Sequence, residues 1–425
     1  MTALASLPAR SSTRGRLTLG TIGVWAAALS YVAFFISDTM LALNDDRSQM
    51  VKIFAFVVLL IAIVLRPQFH RWILLLGPVL FVLLLGLLRS FNGDAGLEEF
   101  LRFFFPIVIT IALYAYRDRL QTLVSVLLIV VISNDLFQCY FYIAYLTGMP
   151  LLIPVRIDSG LFLRAQGWMG FFSEFSFINL CAFMLCRWQS PTETSKVRSW
   201  VFLLFGLLGF SFKLFAPLLF YPLIVRKGTP RTWLAIAAMV GAGIFLVGNG
   251  YLDGLIDVAA SKISFYVTAG NSARAESYRV MFESLSKGNL IGEGLGSFGG
   301  PASVKYGSPL YSEYHFNWFK LGDILKTTDT FYPHLFVEIG FLGAAAWLLF
   351  VLLYGQGAKR DAPWIFMVVT FCFDNLFSMS FLSPSYVFSA LLVLYVLSRR
   401  GSPFDNGTSP RLTRLLRTRL RFRNA

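Results

Sequence analysis

Between residues 17 and 37 the chain carries no charge, and mainly apolar runs of similar length recur at 51–65, 72–88, 100–116, 120–145 and 168–186. About 20 residues of helix cross roughly 30 Å of hydrocarbon. Inside a bilayer every backbone polar group must be satisfied within the protein, which leaves helices for runs of this length. The composition agrees: 56% of the 425 residues are hydrophobic and 14% charged, whereas charged residues make up about a quarter of a soluble domain. These runs predict an all-α, polytopic integral membrane protein.

Charged punctuation between the runs sets the expected topology. Arg10, Arg14 and Arg16, together with eight arginines against Asp405 after residue 398, account for ten of the fourteen excess positive charges. Basic segments flanking spans mark the cytoplasmic side and can touch anionic lipid. The net charge therefore argues for membrane lipids as a partner and against nucleic acid. With the N-terminus inside, RPQFHR, RDR and RWQ…KVR all fall inside, and the acidic or mixed loops fall outside.

The stretch 200–225 lies between two basic loops, with Lys213 and Pro217 in its middle. Two short segments, 200–212 and 214–225, return the chain to the inside and place Lys213 at a hairpin turn near the outer interface. A single tilted span would instead turn the following loop to the cytoplasm. Runs at 232–248, 330–354, 363–381 and 386–397 complete about twelve spans with both termini cytoplasmic. The expected organisation is nine spans within 1–249, a large extracytoplasmic loop at 250–327 carrying short helices, three spans within 328–398 and a basic tail at 399–425. All four cysteines lie in apolar runs without metal-ligand spacing, so neither disulfides nor a zinc site is expected.

The loop balances seven basic against seven acidic residues, so any anion binding there depends on particular side chains. The segment 273–286 has few breakers, and Tyr278, Met281, Phe282 and Leu285 recur at three- and four-residue spacing, predicting an amphipathic helix laid over the bundle. Arg274 and Tyr278 share one face of it, while Arg279 points elsewhere and can pair with Glu276 or Glu283 on a solvated face. GEGLGSFG resembles a dinucleotide loop on paper, but no strand precedes it. Its glycines serve to let backbone pass close to the bundle or a ligand.

Three histidines are present. His70 lies beside Arg71 at the cytoplasmic interface, and His315 lies in the aromatic stretch of the outer loop. His334 follows Pro333 at the outer mouth of a span, where imidazole can act as a general base near neutral pH. Arg102, Asp135, Glu174, Lys213, Asp374 and Asn375 are polar groups within spans and must face the bundle interior or reach an interface.

The R-x-E-x-x-R helix at 274–279, the I-G-x-G-x-G-x-F turn at 291–298 and the T-D-x-x-x-x-H-x-x-x-E-x-G-x-x-G span at 328–343 resemble the bacterial O-antigen polymerase and O-antigen ligase superfamily (Wzy/WaaL-like). RAQGWMGFFSEFSFINL is similar to a motif of the same group's polymerases. Here Phe175 stands where proline is usual, and Arg164 lies three residues farther from Glu174. The resemblance covers patches of 160–345 and implies a GT-C-like glycosyltransferase of the inner membrane with its large loop periplasmic. It implies inverting, metal-independent transfer of a glycan from undecaprenyl pyrophosphate, with no cofactor. In an exopolysaccharide or O-antigen polymerase the acceptor is the next lipid-linked repeat unit; in a ligase it is lipid A–core. A chain-length regulator and export machinery would be further partners.

A pyrophosphate leaving group needs fixed cations more than an acid, and arginine's fork matches phosphate oxygens. Arg274 and Arg279 are thus the expected catalytic cations and His334 the expected base. Arg164, Glu174, Lys213, Tyr278 and His315 are the expected substrate-binding residues. A polytopic transporter or flippase is the reading from another class; it predicts an internal repeat in the bundle, and the sequence shows none.

Overall fold

The computed structural model describes residues 18–41, 45–152, 164–189, 193–226, scattered positions from 230 to 250, 272–317 and 330–400. Every regular element among them is helical, and five helical stretches, one of them broken at Gly340, are long and apolar enough by length and composition to cross a membrane. The protein is an all-α membrane protein. Apart from the scattered positions, the expected span at 232–248, the loop segments 251–271 and 318–329 and the tail from 401 lie outside the described residues.

Helices α1 (Leu19–Leu41) and α2 (Asp45–Leu65) pair as neighbours, and α3 (Leu76–Leu88), α4 (Gly93–Ala115) and α5 (Leu120–Thr147) follow through short connections. At the centre stands the last helix, α14 (Pro384–Ser398), with every residue buried. It packs on α1, α4, α5, α6 (Phe172–Trp188) and α13 (Ala362–Asp374). A helix apolar all round belongs in such a position. Lipid tails are as apolar as leucine, so packing and interhelical hydrogen bonds hold such a bundle together. Tyr31 stacks on Phe388 at 4.2 Å and shares a 2.6 Å hydrogen bond with Ser389. Tyr116 donates to the Ala62 carbonyl at 2.6 Å, and Trp347 to that of Phe103 at 2.9 Å. Ile53, Phe54, Phe81 and Leu84 of α2 and α3 face outward, as lipid-covered surface would.

The two ends of the bundle differ in charge. One gathers arginines: Arg66 forks onto Asp118 at 2.6 and 3.1 Å, and Arg400 meets Asp361 at 2.6 Å. The other carries Asp38, Glu99, Glu174 and Asp374 and is covered by the loop helices α9 (Ala273–Ser286), α10 (Pro301–Lys305) and α11 (Leu310–Glu313). We call these the basic end and the loop end.

The stretch 200–225 forms two helices, α7 (Glu193–Leu208) and α8 (Phe212–Arg226). Phe183 of α6 meets Trp200 of α7 at 6.1 Å and Tyr221 of α8 at 5.7 Å. The chain between those contacts reverses near Gly209, which lies against Ser176 and Phe172 at the loop end. Arg164 closes this turn by donating to the Gly209 and Phe210 carbonyls at 3.1 and 2.8 Å.

The span expected at 330–354 differs from a straight rod. Helix α12 (Phe331–Leu353) breaks at Gly340, whose φ of 69° and ψ of 175° are non-helical. Phe331 and Trp347 would lie about 24 Å apart along an intact helix, yet their rings are 5.6 Å apart. The first half therefore folds back across the loop end of the bundle. Backbone of the glycine turn enters the break: Glu293 and Gly294 donate to the carbonyls of Val337 and Glu338, and Leu342 donates to Leu290. Broken helices survive at membrane depth only where such groups are satisfied again.

Helix α9 has the predicted limits, with the Ser272 hydroxyl capping the Ala275 amide at 3.2 Å. Its buried stripe differs from the predicted one. Ala273, Ser277, Val280, Met281 and Ser284 face inward, whereas Phe282 is 62% exposed. Small residues let α9 approach α12 closely, and the bulky ring is turned out.

Candidate active site

The loop end is organised around His334. Its ring is fully buried and stacks on Phe103 of α4 at 4.9 Å between centroids. Nδ1 lies 2.7 Å from the Phe298 carbonyl, an acceptor only, so Nδ1 carries a proton. The Glu338 carboxylate, one helical turn on, lies 3.6 Å from Nδ1 and accepts from the Phe298 amide at 3.0 Å. On the other side Nε2 lies 3.3 Å from Oε2 of Glu99. With Nδ1 protonated, a neutral ring would set two acceptors against each other; a proton between Nε2 and Oε2 resolves the contact. Oε1 of Glu99 is held by Arg102 at 2.5 Å and by the Ala302 amide at 3.1 Å.

Glu99, His334 and Glu338 also offer one ligand atom each within 4.8 Å, the arrangement among the described residues that could hold a metal ion. The glycine turn closes the cluster from the loop side. A Cβ on Gly300 would lie 2.4 Å from both Glu99 Oε1 and His334 Cε1, so only glycine fits there.

Arg279 donates to Glu276 at 3.0 Å, to Glu283 at 2.8 Å and to the Tyr314 carbonyl at 2.8 Å. It binds both carboxylates that the sequence offered and clamps α9 to the turn after α11. His315 is exposed, has a φ of 48° and lends its carbonyl to the same guanidinium at 3.3 Å. Tyr278 donates to the Leu376 carbonyl at 2.9 Å, docking α9 on the α13–α14 connection. Burial pushes its phenol up to about 12 despite the pull of Arg274. Arg274 is half-buried in the first turn of α9 beside Tyr278.

Arg164 stacks on Phe172 at 3.5 Å as it caps the α7 turn. Glu174 is buried and accepts from Ser383 at 3.0 Å; that serine also reaches Asp38 at 3.3 Å. Lys52 lies 3.7 Å from Asp38. Lys213 begins the second half of the hairpin, and its side chain lies outside the described residues. The eight expected site residues thus all belong to the loop end or its rim, but they do not converge on one point.

Glu99 and Asp38 were not singled out from the sequence, and Glu338 entered only as the acid of the H-x-x-x-E string, with no role assigned. Glu338 had a readable signal, standing four residues after His334 on one face of an apolar helix. Glu99 and Asp38 precede or end apolar runs and look like loop charges. No family model matches this chain, and no curated protein matches it.

Proposed function

We propose that this protein is a polysaccharide polymerase of about twelve spans with a GT-C-like frame and cytoplasmic termini. It would transfer a glycan from undecaprenyl pyrophosphate to the next lipid-linked repeat unit on the extracytoplasmic face. The observation that carries the reading is His334, held in one tautomer between Glu99 and Glu338 at the end of the bundle that the loop covers. Nδ1–H is committed to Phe298, so Nε2 is the atom that can take a proton from an acceptor hydroxyl once the proton it shares with Glu99 Oε2 has left to solvent. The hydroxyl oxygen attacks the anomeric carbon as the bond to pyrophosphate breaks on the opposite face, giving inversion. Reaching Nε2 requires the Gly299–Gly300 turn to lift. Arg274 at the positive end of α9 supports the departing pyrophosphate, and no metal ion is assigned a role. Arg279 keeps the loop in shape for this step. Glu174, with Asp38 and the serines around them, supplies hydroxyl and carboxylate partners for sugar.

The broken helix α12 is a feature that transporters use to present free backbone to ions. Here the exposed amides and carbonyls of the break are taken by residues 289–294, which weighs against that reading. A ligase of the same kind differs only in acceptor. The deciding assay follows chain extension in cells making the cognate glycan and in nanodiscs supplied with lipid-linked repeats. His334→Ala should lower extension by roughly 100-fold or more, and Arg274→Ala should lower it too, while single repeats still reach their final acceptor. Long chains persisting on undecaprenyl lipid in these variants point to a ligase. Wild-type extension in both would overturn the site.

A further inference from the structure

We propose that Arg117, Arg399 and His70 form a binding site at the basic end for the phosphate of an anionic phospholipid headgroup. This rests on the membrane fold and not on glycosyl transfer. Arg117 follows α4 and donates to Gln68 Oε1 at 2.8 Å and to the Tyr114 carbonyl at 3.0 Å, its guanidinium 4.2 Å from the Tyr114 ring centroid. Arg399 follows α14, donates to the Gly355 carbonyl and stands 5.6 Å from the Tyr395 ring and 6.0 Å from that same Tyr114 ring. Two guanidinium groups therefore share one tyrosine, and among the described residues neither meets a carboxylate. Their neighbours do: Arg66 has Asp118 and Arg400 has Asp361. The Nε–H of Arg399 is buried without an acceptor.

His70 completes the surround. Its ring lies 5.4 Å from Tyr114, and its Nδ1 accepts from the Trp72 amide at 3.2 Å, which leaves the proton of the neutral ring on Nε2. Partial burial, then the charges of Arg71, Arg399 and Arg117, hold this imidazole below its ordinary value. The ring is thus a neutral donor amid uncompensated positive charge. Capping of the helix-terminal carbonyls explains one or two N–H groups of each arginine and leaves the others unexplained. A phosphate accepts from several N–H groups at once, and the guanidinium fork fits it. The lipid is favoured as its source because the cluster sits where α4 and α14 end, among tyrosines, at the level of headgroups.

The test uses the full-length protein, stripped of lipid and placed in phosphatidylcholine nanodiscs with or without phosphatidylglycerol, with retained lipid read by native mass spectrometry. Wild type should retain phosphatidylglycerol selectively and saturably and gain thermal stability from it. Arg117→Gln and Arg399→Gln should each cut that selectivity about fivefold, the worth of one basic residue at an anionic surface, and Arg66→Gln should leave it intact. If Arg399→Gln does not fold, Arg117→Gln at the rim decides. Unchanged selectivity in Arg117→Gln, or an equal loss in Arg66→Gln, overturns the site. Equal stabilisation by inorganic phosphate in phosphatidylcholine alone assigns it to a soluble phosphate compound and overturns the lipid.

Discussion

Replacing Gly340 by alanine tests whether the glycine turn is locked into the break of α12. The new Cβ would meet the backbone nitrogens of Gly292 and Ile291 at 2.4 and 2.5 Å, contacts that require one chain to move. At a φ of 69° and ψ of 175° a non-glycine residue costs about 1–3 kcal/mol. Displacing the turn sacrifices the crossing hydrogen bonds of Glu293, Gly294 and Leu342, each worth about 1 kcal/mol. The total is about 4–6 kcal/mol, so the segment should open roughly 1,000- to 25,000-fold more often. Gly288 is the control: its φ is 83°, but an added Cβ meets nothing within 4 Å. Alanine there pays only the left-handed backbone cost of about 1–2 kcal/mol. Hydrogen exchange in nanodiscs should show protection of 289–295 and 341–342 collapsing in Gly340→Ala and falling by about tenfold in Gly288→Ala. Equal protection in the two variants would refute the threading of loop through helix.

Glu99→Ala leaves the buried His334 without the carboxylate on its Nε2 side, and leaves Arg102, a quarter exposed, with Glu98 alone at 3.8 Å; it should cost about 3 kcal/mol, the low end for breaking a buried pair, in thermal unfolding. Glu99→Gln, which keeps the acceptor for Ala302, should cost far less. Arg279→Ala should free the 311–317 turn from α9, seen as faster proteolysis there, and Arg279→Lys should not restore it because a single ammonium cannot span two carboxylates and a carbonyl. The hydrogen bond from Lys287, aided by Lys287 and Arg279 charge, holds the Glu283 carboxyl below its ordinary 4.5. A depressed folded-state value means stability that is present above 4.5 and lost as pH falls through the folded value. Loop protection should therefore weaken on acidification below 4.5, and Glu283→Gln should flatten that limb of the profile.

Local signals carried much of this architecture. The limits of α9 follow from the Ser272 cap and the breakers beyond Ser286, and the hairpin at 200–225 follows from basic residues on both sides of a stretch with Lys213 in its middle. What stayed hidden depends on groups that meet only in three dimensions. Gly340 reads as one more small residue in an apolar run, since the chain that fills its break comes from 289–294. Phe282 reads as part of the buried stripe, because periodicity cannot tell that α12 demands small neighbours.

Glu99 is the more instructive omission. A histidine placed inside an apolar span cannot bury both ring nitrogens without partners, since each unsatisfied group there costs several kcal/mol. Glu338 on the same helix reaches only the Nδ1 side, and the loop carbonyl of Phe298 shares that side. The opposite nitrogen therefore required a group from another helix. Few charged residues stand close enough to an apolar run to reach it, and Glu99, with Arg102 one turn on, joins an acid and its own counter-ion at the edge of α4. A fully buried histidine is in this sense a demand for two partners, and a single acid four residues away answers only one.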